Sequence, residues 1–128
     1  MNLKIIFKRL ILLDLLLFIL IVVAAFYPST EVEDFNKYFE SELSNSFLII
    51  IGVLQLIYLI NLFLLYKFKS IGKKIYLILF IVLMVLSLLV PPQATDSWLY
   101  VLEGLGLAIS GAILVFLYFT PIKKEFEK

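Results

Sequence analysis

Four long apolar runs constrain the fold of this chain more than any other feature. They cover residues 10–27, 47–66, 75–90 and 98–120. A transmembrane α-helix needs about 20 apolar residues, because each residue advances the helix by about 1.5 Å. The third run is the shortest, but it still spans when Lys73 and Lys74 extend to the headgroups. The sequence therefore predicts an all-α integral membrane protein with four transmembrane helices in an antiparallel bundle.

The amino-acid composition favours a single membrane domain over residues 1–128 and excludes several kinds of chemistry. The chain is 63% hydrophobic and 16% charged, whereas soluble domains are about 45–50% apolar and about 25% charged. It has no cysteine and no histidine, which removes disulfides, Cys/His metal sites and histidine-dependent catalysis. We therefore expect no metal, no cofactor and no enzymatic activity, and the short basic loops offer no platform for nucleic acid.

The distribution of positive charge predicts the orientation of the bundle. Of the 11 Lys and Arg residues, only Lys37 lies in the loop after the first run or the loop after the third. The others flank the opposite ends of the runs: Lys4, Lys8, Arg9, Lys67, Lys69, Lys73, Lys74, Lys123, Lys124 and Lys128. Short loops rich in Lys and Arg stay in the cytoplasm. We therefore expect both termini to be cytoplasmic. The small size, the Lys-, Ile- and Leu-rich composition and the lack of an N-x-[ST] acceptor in the outer loop favour the inner membrane of a bacterium.

The first run has an alternative interpretation as a secretory signal peptide. Basic residues precede it, and Val23, Ala24 and Ala25 near its end resemble a small-residue cleavage site. However, Asp14 lies inside the run, and the apolar core of a signal peptide is normally uncharged. We therefore favour a retained transmembrane helix.

The segment after the first run predicts a short amphipathic helix over residues 31–43, on the outer side of the membrane. Thr30 and Glu33 fit a capping box, in which each side chain accepts a hydrogen bond from the other's backbone N–H. The acidic residues are Glu31, Glu33, Asp34, Glu40 and Glu42, and the apolar face holds Val32, Phe35, Phe39 and Leu43. Such a helix lies on the membrane or caps the bundle; the alternative is an acidic docking surface for a partner or cation.

Polar residues at membrane depth are the candidate functional residues, because intramembrane ionisable groups are costly and usually face protein or water. They are Asp14, Gln55, Asn61, Ser87, Glu103 and Ser110. Matched depth predicts a hydrogen bond between Asp14 and Asn61, and helical periodicity places Glu103, Gly106 and Ser110 on one inward-facing stripe. Two interpretations remain open: hydrogen bonding between helices alone, or an ion or proton path that joins Asp14 to Glu103.

Small residues in the fourth run predict a site of close helix packing. They are Gly104, Ala108, Gly111 and Ala112, and small residues at four-residue spacing let two helices approach closely. The same pattern would serve packing within the bundle or between protomers. The expected partners are therefore the lipid bilayer and either a second copy of the chain or another membrane or periplasmic protein.

Two kinds of small membrane protein resemble this chain in architecture. Four short spans with Asp14 in the first look like the small multidrug resistance transporters, although the aromatic and glycine patterns of that family are absent. In size, topology and lack of catalytic motifs the chain is similar to immunity proteins against pore-forming toxins and to small membrane subunits of phage-defence systems. These features favour a non-enzymatic interaction protein of the immunity or envelope/phage-defence accessory type. The alternative is a small oligomeric ion- or proton-coupled transporter or channel that uses intramembrane carboxylates.

Overall fold

The chain folds into helices joined by short connections. A computed structural model describes residues 2–39, 44–90 and 93–127, and within these ranges no strand occurs. The helices are α1 (Leu3–Ala25), α2 (Thr30–Tyr38), α3 (Asn45–Tyr66), α4 (Ser70–Ser87), α5 (Ser97–Phe119) and a C-terminal 3-10 helix (Pro121–Phe126). The prediction of an all-helical chain is confirmed.

Three helices are long and apolar enough to cross a membrane, namely α3, α4 and α5. Helix α1 reaches this standard only together with α2, to which it is bent by 69°, because Lys8, Arg9 and Asp14 interrupt its apolar surface. The number of candidate spans is therefore three, or four if the bent pair counts as one. The third apolar run is displaced rather than shortened, since α4 has 18 residues, begins at Ser70 and ends at Ser87, not at residue 90.

The long helices alternate in direction around the bundle. Helix α1 packs most extensively against α5, and α3 packs against α4. Phe7, near the start of α1, meets Phe116 near the end of α5 at 6.1 Å between ring centroids. Ile21, near the end of α1, approaches Gly106 in the first half of α5. These contacts make α1 and α5 antiparallel neighbours.

A tight turn at Phe68 reverses the chain between α3 and α4. The N–H groups of Phe68 and Lys69 donate to the carbonyls of Leu65 and Leu64 at 2.9 and 3.0 Å, which is the Schellman arrangement that ends many helices. Phe68 has a φ of 55°, in the left-handed region that normally favours glycine. A Cβ on Gly72 would lie 3.2 Å from the backbone nitrogen of Leu65, so α4 needs a glycine to start this close to α3.

The core lies at the end of the bundle where α1 begins and α5 ends, which we call the packed end. Its buried residues are Phe7, Ile11, Leu62, Leu65, Tyr76, Ile113, Leu117, Ile122 and Phe126. The 3-10 helix covers this end, because the ring of Phe126 meets that of Phe7 edge-to-face with centroids 5.8 Å apart. Lys4 and Glu125 add an ion pair of 2.8 Å across the same contact.

Helix α2 lies at the opposite end, which we call the open end, and the capping-box prediction for it is wrong. Ser29 is the N-cap and not Thr30, since the Ser29 hydroxyl accepts a hydrogen bond from the N–H of Val32 at 3.4 Å. The backbone N–H of Ser29 donates to the Asp96 carboxylate at 3.0 Å. Asp96, at the start of α5, thus accepts the hydrogen bond from the N-cap N–H that the sequence pattern assigned to Glu33.

A second contact fixes α2 to the connection between α4 and α5. The Asn36 side chain donates to the carbonyl of Ala94 at 3.1 Å and accepts from its N–H at 2.9 Å. No residue of α2 is buried, and the rings of Phe35 and Phe39 on the predicted apolar face are exposed. The helix ends at Tyr38; Glu40, Glu42 and Leu43 of the predicted helix lie outside the described residues.

Candidate functional site

A buried carboxylate stands at the centre of the bundle, bonded by one side chain from each of the three other long helices. Asp14, the middle residue of α1, is 3% exposed. Its Oδ2 accepts hydrogen bonds from the hydroxyl of Tyr58 on α3 and, at 3.4 Å, from that of Tyr76 on α4. Its Oδ1 accepts from Ser110 on α5 at 3.3 Å. We call Tyr58, Tyr76 and Ser110 the hydroxyl cage.

No positive charge neutralises this carboxylate in the described part of the chain. The ion pairs there join Lys4 to Glu125 and Lys37 to Glu33, both remote from Asp14. The hydroxyls of the cage are neutral donors, and hydrogen bonds to a charged acceptor are stronger than those between neutral groups. Burial of Asp14 opposes its charged form, whereas the hydrogen bonds of the cage favour that form without cancelling its charge.

A cavity of about 300 Å³ extends from Asp14 towards the open end of the bundle. Side chains from all four long helices line it, and those with polar atoms are Asp14, Gln55, Tyr58, Tyr76, Ser87 and Ser110. Most of the remaining lining is aliphatic, and the rings of Phe18 and Phe80 complete an aromatic wall with the two tyrosines. A cavity of this kind, apolar with few converging polar groups, is typical of a small-molecule site.

Several predicted site residues meet at this cavity. Asp14, Gln55, Ser87 and Ser110 all contribute to its lining. Ser110 contacts the carboxylate directly, whereas the Ser87 hydroxyl donates to the carbonyl of Met84 in its own helix at 2.7 Å. The structure thus brings together four of the six polar residues that the sequence singled out.

Asn61 does not form the predicted hydrogen bond with Asp14. It is 1% exposed, and neither its amide nitrogen nor its amide oxygen has a hydrogen-bond partner among the described residues. The three hydroxyls of the cage occupy the oxygens of Asp14 instead. Asn61 is one of the three buried residues of α3, with Leu62 and Leu65 of the core, so its polar atoms are buried on the side of the packed end.

Glu103 lies outside the site, and the prediction that it faces inward on one stripe with Gly106 and Ser110 is wrong. Its side chain is exposed, and it does not line the cavity, whereas Gly106 and Ser110 do. Glu103 lies only about 20° from Ser110 around α5, so the two share a helix face, but that face is exposed at Glu103, two turns nearer the start of the helix. A path that joins Asp14 to Glu103 has no support in this arrangement.

The predicted small-residue face of α5 is not used for packing within the bundle. Gly104 and Ala108 are exposed, and Gly111 and Ala112 are half-buried. A Cβ added to Gly104 or Gly111 would meet nothing within 4 Å. Close packing involves Gly106 instead, where an added Cβ would lie 3.3 Å from Cδ1 of Ile21 on α1.

The acidic residues of α2 form a separate and exposed surface. Glu31, Glu33 and Asp34 all face outward. Glu33 accepts a hydrogen bond of 2.7 Å from Lys37 one turn later, and this bond, with the charge of Lys37, lowers the pKa of the Glu33 carboxyl. None of these residues lines the cavity.

The sequence reasoning missed Tyr58 and Tyr76, which contact the carboxylate. A usable signal was present on α3, where Gln55, Tyr58 and Asn61 follow one another at three-residue spacing, as expected for a polar strip on a helix. Tyr76 gave no comparable signal, because the ten residues that follow it on α4 are all apolar. No group of three or more Asp or Glu residues able to hold a metal ion occurs in the part of the chain that the structure describes.

Comparison with known proteins gives this site no precedent. No family model, no curated protein and no solved structure matches the chain.

Proposed function

We propose that this protein is a small multi-pass membrane protein that exchanges a proton for a cation at Asp14, as a coupled transporter does. One observation carries the proposal: hydroxyls from α3, α4 and α5 converge on the α1 carboxylate where it adjoins a cavity. A carboxylate at membrane depth is costly and marks ion or proton sites more often than chance would allow. Hydrogen bonding between helices alone would not need the adjoining cavity.

The proposed setting is the inner membrane of a bacterium, with four spans and both termini in the cytoplasm. The distribution of Lys and Arg supports this orientation through the positive-inside rule. Helix α1 counts as the fourth span in this arrangement, because the buried cage leaves its carboxylate out of contact with lipid. The basic residues at its start would then lie among the headgroups.

The experiment that tests this function measures proton movement in liposomes that contain the purified protein and an internal pH-sensitive dye. An imposed gradient of Na⁺ or K⁺, or of a small organic cation, should drive protons the opposite way. Asp14→Asn should abolish the signal, because the variant cannot exchange a proton. Glu103→Gln is the matched control, since it removes an exposed carboxylate outside the cavity, and it should retain the wild-type rate. Equal rates for Asp14→Asn and the wild type would disprove the proposal.

A second candidate is a non-enzymatic interaction protein of the toxin-immunity or envelope/phage-defence accessory type. The exposed positions of Gly104 and Ala108 on α5 favour it, because an unused small-residue face suits close contact with another helix. The partner would be a second copy of this chain or another membrane protein. The exposed acidic residues of α2 would supply a further contact on the periplasmic side.

The oligomeric mass in lipid nanodiscs tests this second candidate. Gly104→Leu should reduce assembly, because a leucine would hold the two helices apart. Gly52→Leu is the matched control, since an added Cβ at Gly52 on α3 also meets nothing within 4 Å. A monomeric wild type, or equal masses for the wild type and both variants, would contradict a role for this face of α5.

A further inference from the structure

We propose that the packed end of the bundle binds anionic phospholipids at two sites, in each of which a lysine holds the headgroup phosphate beside the ring of a tyrosine on a neighbouring helix. The two lysines are Lys8 on α1 and Lys73 on α4. Neither of them lines the cavity beside Asp14, so the inference goes beyond the proposed function and does not depend on it.

The four long helices form two tight pairs with two looser seams between them. Helix α1 packs mainly against α5, and α3 packs mainly against α4. The contacts of α1 with α3, and those of α4 with α5, are much less extensive. We call these two boundaries the α1/α3 seam and the α4/α5 seam. The helices of a seam hold each other less closely than those of a pair, so each seam offers helix surface for a lipid to lie against.

The same contact bridges both seams at the packed end. In the α1/α3 seam, the Lys8 Nζ lies 4.6 Å from the ring centroid of Tyr66 and 5.6 Å from that of Phe68. In the α4/α5 seam, the Lys73 Nζ lies 4.6 Å from the ring centroid of Tyr118, and the Tyr118 hydroxyl donates to the Lys73 carbonyl at 3.2 Å. A cation–π contact therefore holds one ammonium group at each seam.

The positive charge of these two lysines has no carboxylate partner in the described part of the chain. The ion pair found at this end joins Lys4 to Glu125 instead. An aromatic ring attracts an ammonium group but does not neutralise it, so each lysine keeps donors and charge for an anion. Further basic residues surround them at the same end, namely Arg9, Lys67, Lys69, Lys74, Lys123 and Lys124. The packed end is therefore complementary in charge to phosphate groups.

The position of the two lysines favours the phosphate of a lipid. Exposed apolar side chains follow each of them on the same helix face: Leu12 and Ile19 lie one and three turns beyond Lys8, and Met84 lies three turns beyond Lys73. An acyl chain packs along such a strip while its headgroup stays at the ammonium group. Basic pockets between transmembrane helices on the cytoplasmic side bind acidic headgroups in this way, and the positive-inside rule places the packed end on that side.

The test counts bound lipids by native mass spectrometry of the full-length protein in detergent, with added phosphatidylglycerol or phosphatidylcholine of identical acyl chains. We expect two molecules of phosphatidylglycerol to bind in preference to phosphatidylcholine, which has no net charge. The preference should decline as the concentration of ammonium acetate rises, because salt screens the attraction. Equal binding of the two lipids by the wild type, or a preference that salt leaves unchanged, would overturn the proposal.

Substitutions of single lysines locate the two sites. Lys8→Gln and Lys73→Gln should each weaken the binding of one phosphatidylglycerol by about fivefold, the effect of one positive charge near an anionic headgroup, and the double variant should weaken both. Lys8→Arg should bind as the wild type does, because a guanidinium also packs on a ring and pairs with phosphate. Lys124→Gln, which removes an exposed lysine of the same end, should also keep both lipids. A loss in Lys124→Gln as large as that in Lys8→Gln would contradict a role for the seams.

Competition with inorganic phosphate distinguishes a lipid site from a site for soluble anions. Inorganic phosphate at millimolar concentration should not displace phosphatidylglycerol, because it has no acyl chain to bury along a seam. Displacement would overturn the assignment to a lipid. The lipid count is independent of proton movement in liposomes, so a failure of the exchange function at Asp14 would leave this inference standing, and loss of the lipid preference would leave the exchange function standing.

Discussion

The packed end and the open end of this bundle are built from similar residues but are filled very differently. At the packed end, aromatic and aliphatic side chains from all four long helices and the 3-10 helix form a continuous buried core. At the open end, the same helices line a partly open cavity of about 300 Å³, and α2 contributes no buried residue. Asp14 lies at the border, one turn beyond Ile11 of the core and one turn before Phe18 of the cavity wall.

The difference in packing between the two ends shows which end stabilises the fold and which end has space for a ligand. Helices in a membrane associate through close packing rather than through exclusion of water, so the packed end supplies most of the tertiary stability. The open end keeps its space because no side chain from α2 fills it. In a transporter, release of the ligand to the other side of the membrane would require the packed end to open past Asp14.

The largest expected effect is the loss of the Phe7 ring. This ring is fully buried and contacts the rings of Phe68, Phe116 and Phe126. Phe7→Ala should lower the free energy of unfolding by about 3 kcal/mol, because it leaves a void that the neighbours cannot fill. Unfolding by denaturing detergent in mixed micelles, followed by circular dichroism, measures the change.

Phe18→Ala is the matched control for the open end. Phe18 lies three turns after Phe7 on the same helix and already borders the cavity. Phe18→Ala loses the ring contact with Tyr58. Apart from that contact, the free energy of unfolding should fall by less than about 1 kcal/mol. Equal losses for the two variants would mean that the open end is packed as tightly as the packed end.

The turn at Phe68 provides the second prediction. Phe68→Ala should destabilise the protein by about 2 kcal/mol, because it removes ring contacts with Phe7 and Phe126 and keeps the left-handed backbone. Phe68→Gly removes the same contacts but relieves about 1 kcal/mol of backbone strain at a φ of 55°. The glycine variant should therefore be the more stable of the two in the same detergent titration. The reverse order would show that the backbone of this turn is not strained.

The helices could be predicted from the sequence far better than the site. Apolar runs report directly on helices of membrane length, so α3 and α5 begin and end within two residues of the predicted runs. Which face of a helix turns inward depends on packing, and one face of α5 is as apolar as another. The polar stripe that Glu103 shares with Ser110 predicts that it faces inward, although it is exposed. Tyr58 and Tyr76 were missed because tyrosine suits both membrane interfaces and buried hydrogen bonds.

The third prediction concerns the one polar residue of the packed end that has no hydrogen-bond partner among the described residues, Asn61. Asn61→Leu should raise the free energy of unfolding by about 1 kcal/mol, because a buried amide without partners costs more than an apolar side chain of similar size. Gln55→Leu, in the cavity wall, should change the stability less. A loss of stability in Asn61→Leu would show that the amide is satisfied in solution, as by buried water.

The smallest effect is expected from the ion pair within α2 at the open end. Glu33 and Lys37 form an ion pair of 2.7 Å on α2, but both side chains are more than half exposed, so solvent screens the attraction. The pair lowers the pKa of Glu33 below its ordinary 4.5, so any stabilisation is complete above that value and disappears as the pH falls through the lowered pKa. We therefore expect the unfolding curves of Glu33→Gln and the wild type to coincide at neutral pH and also in acid. A gap that is present at neutral pH and closes in acid would show that this ion pair on α2 stabilises the bundle, and the open end would then contribute to stability as the packed end does.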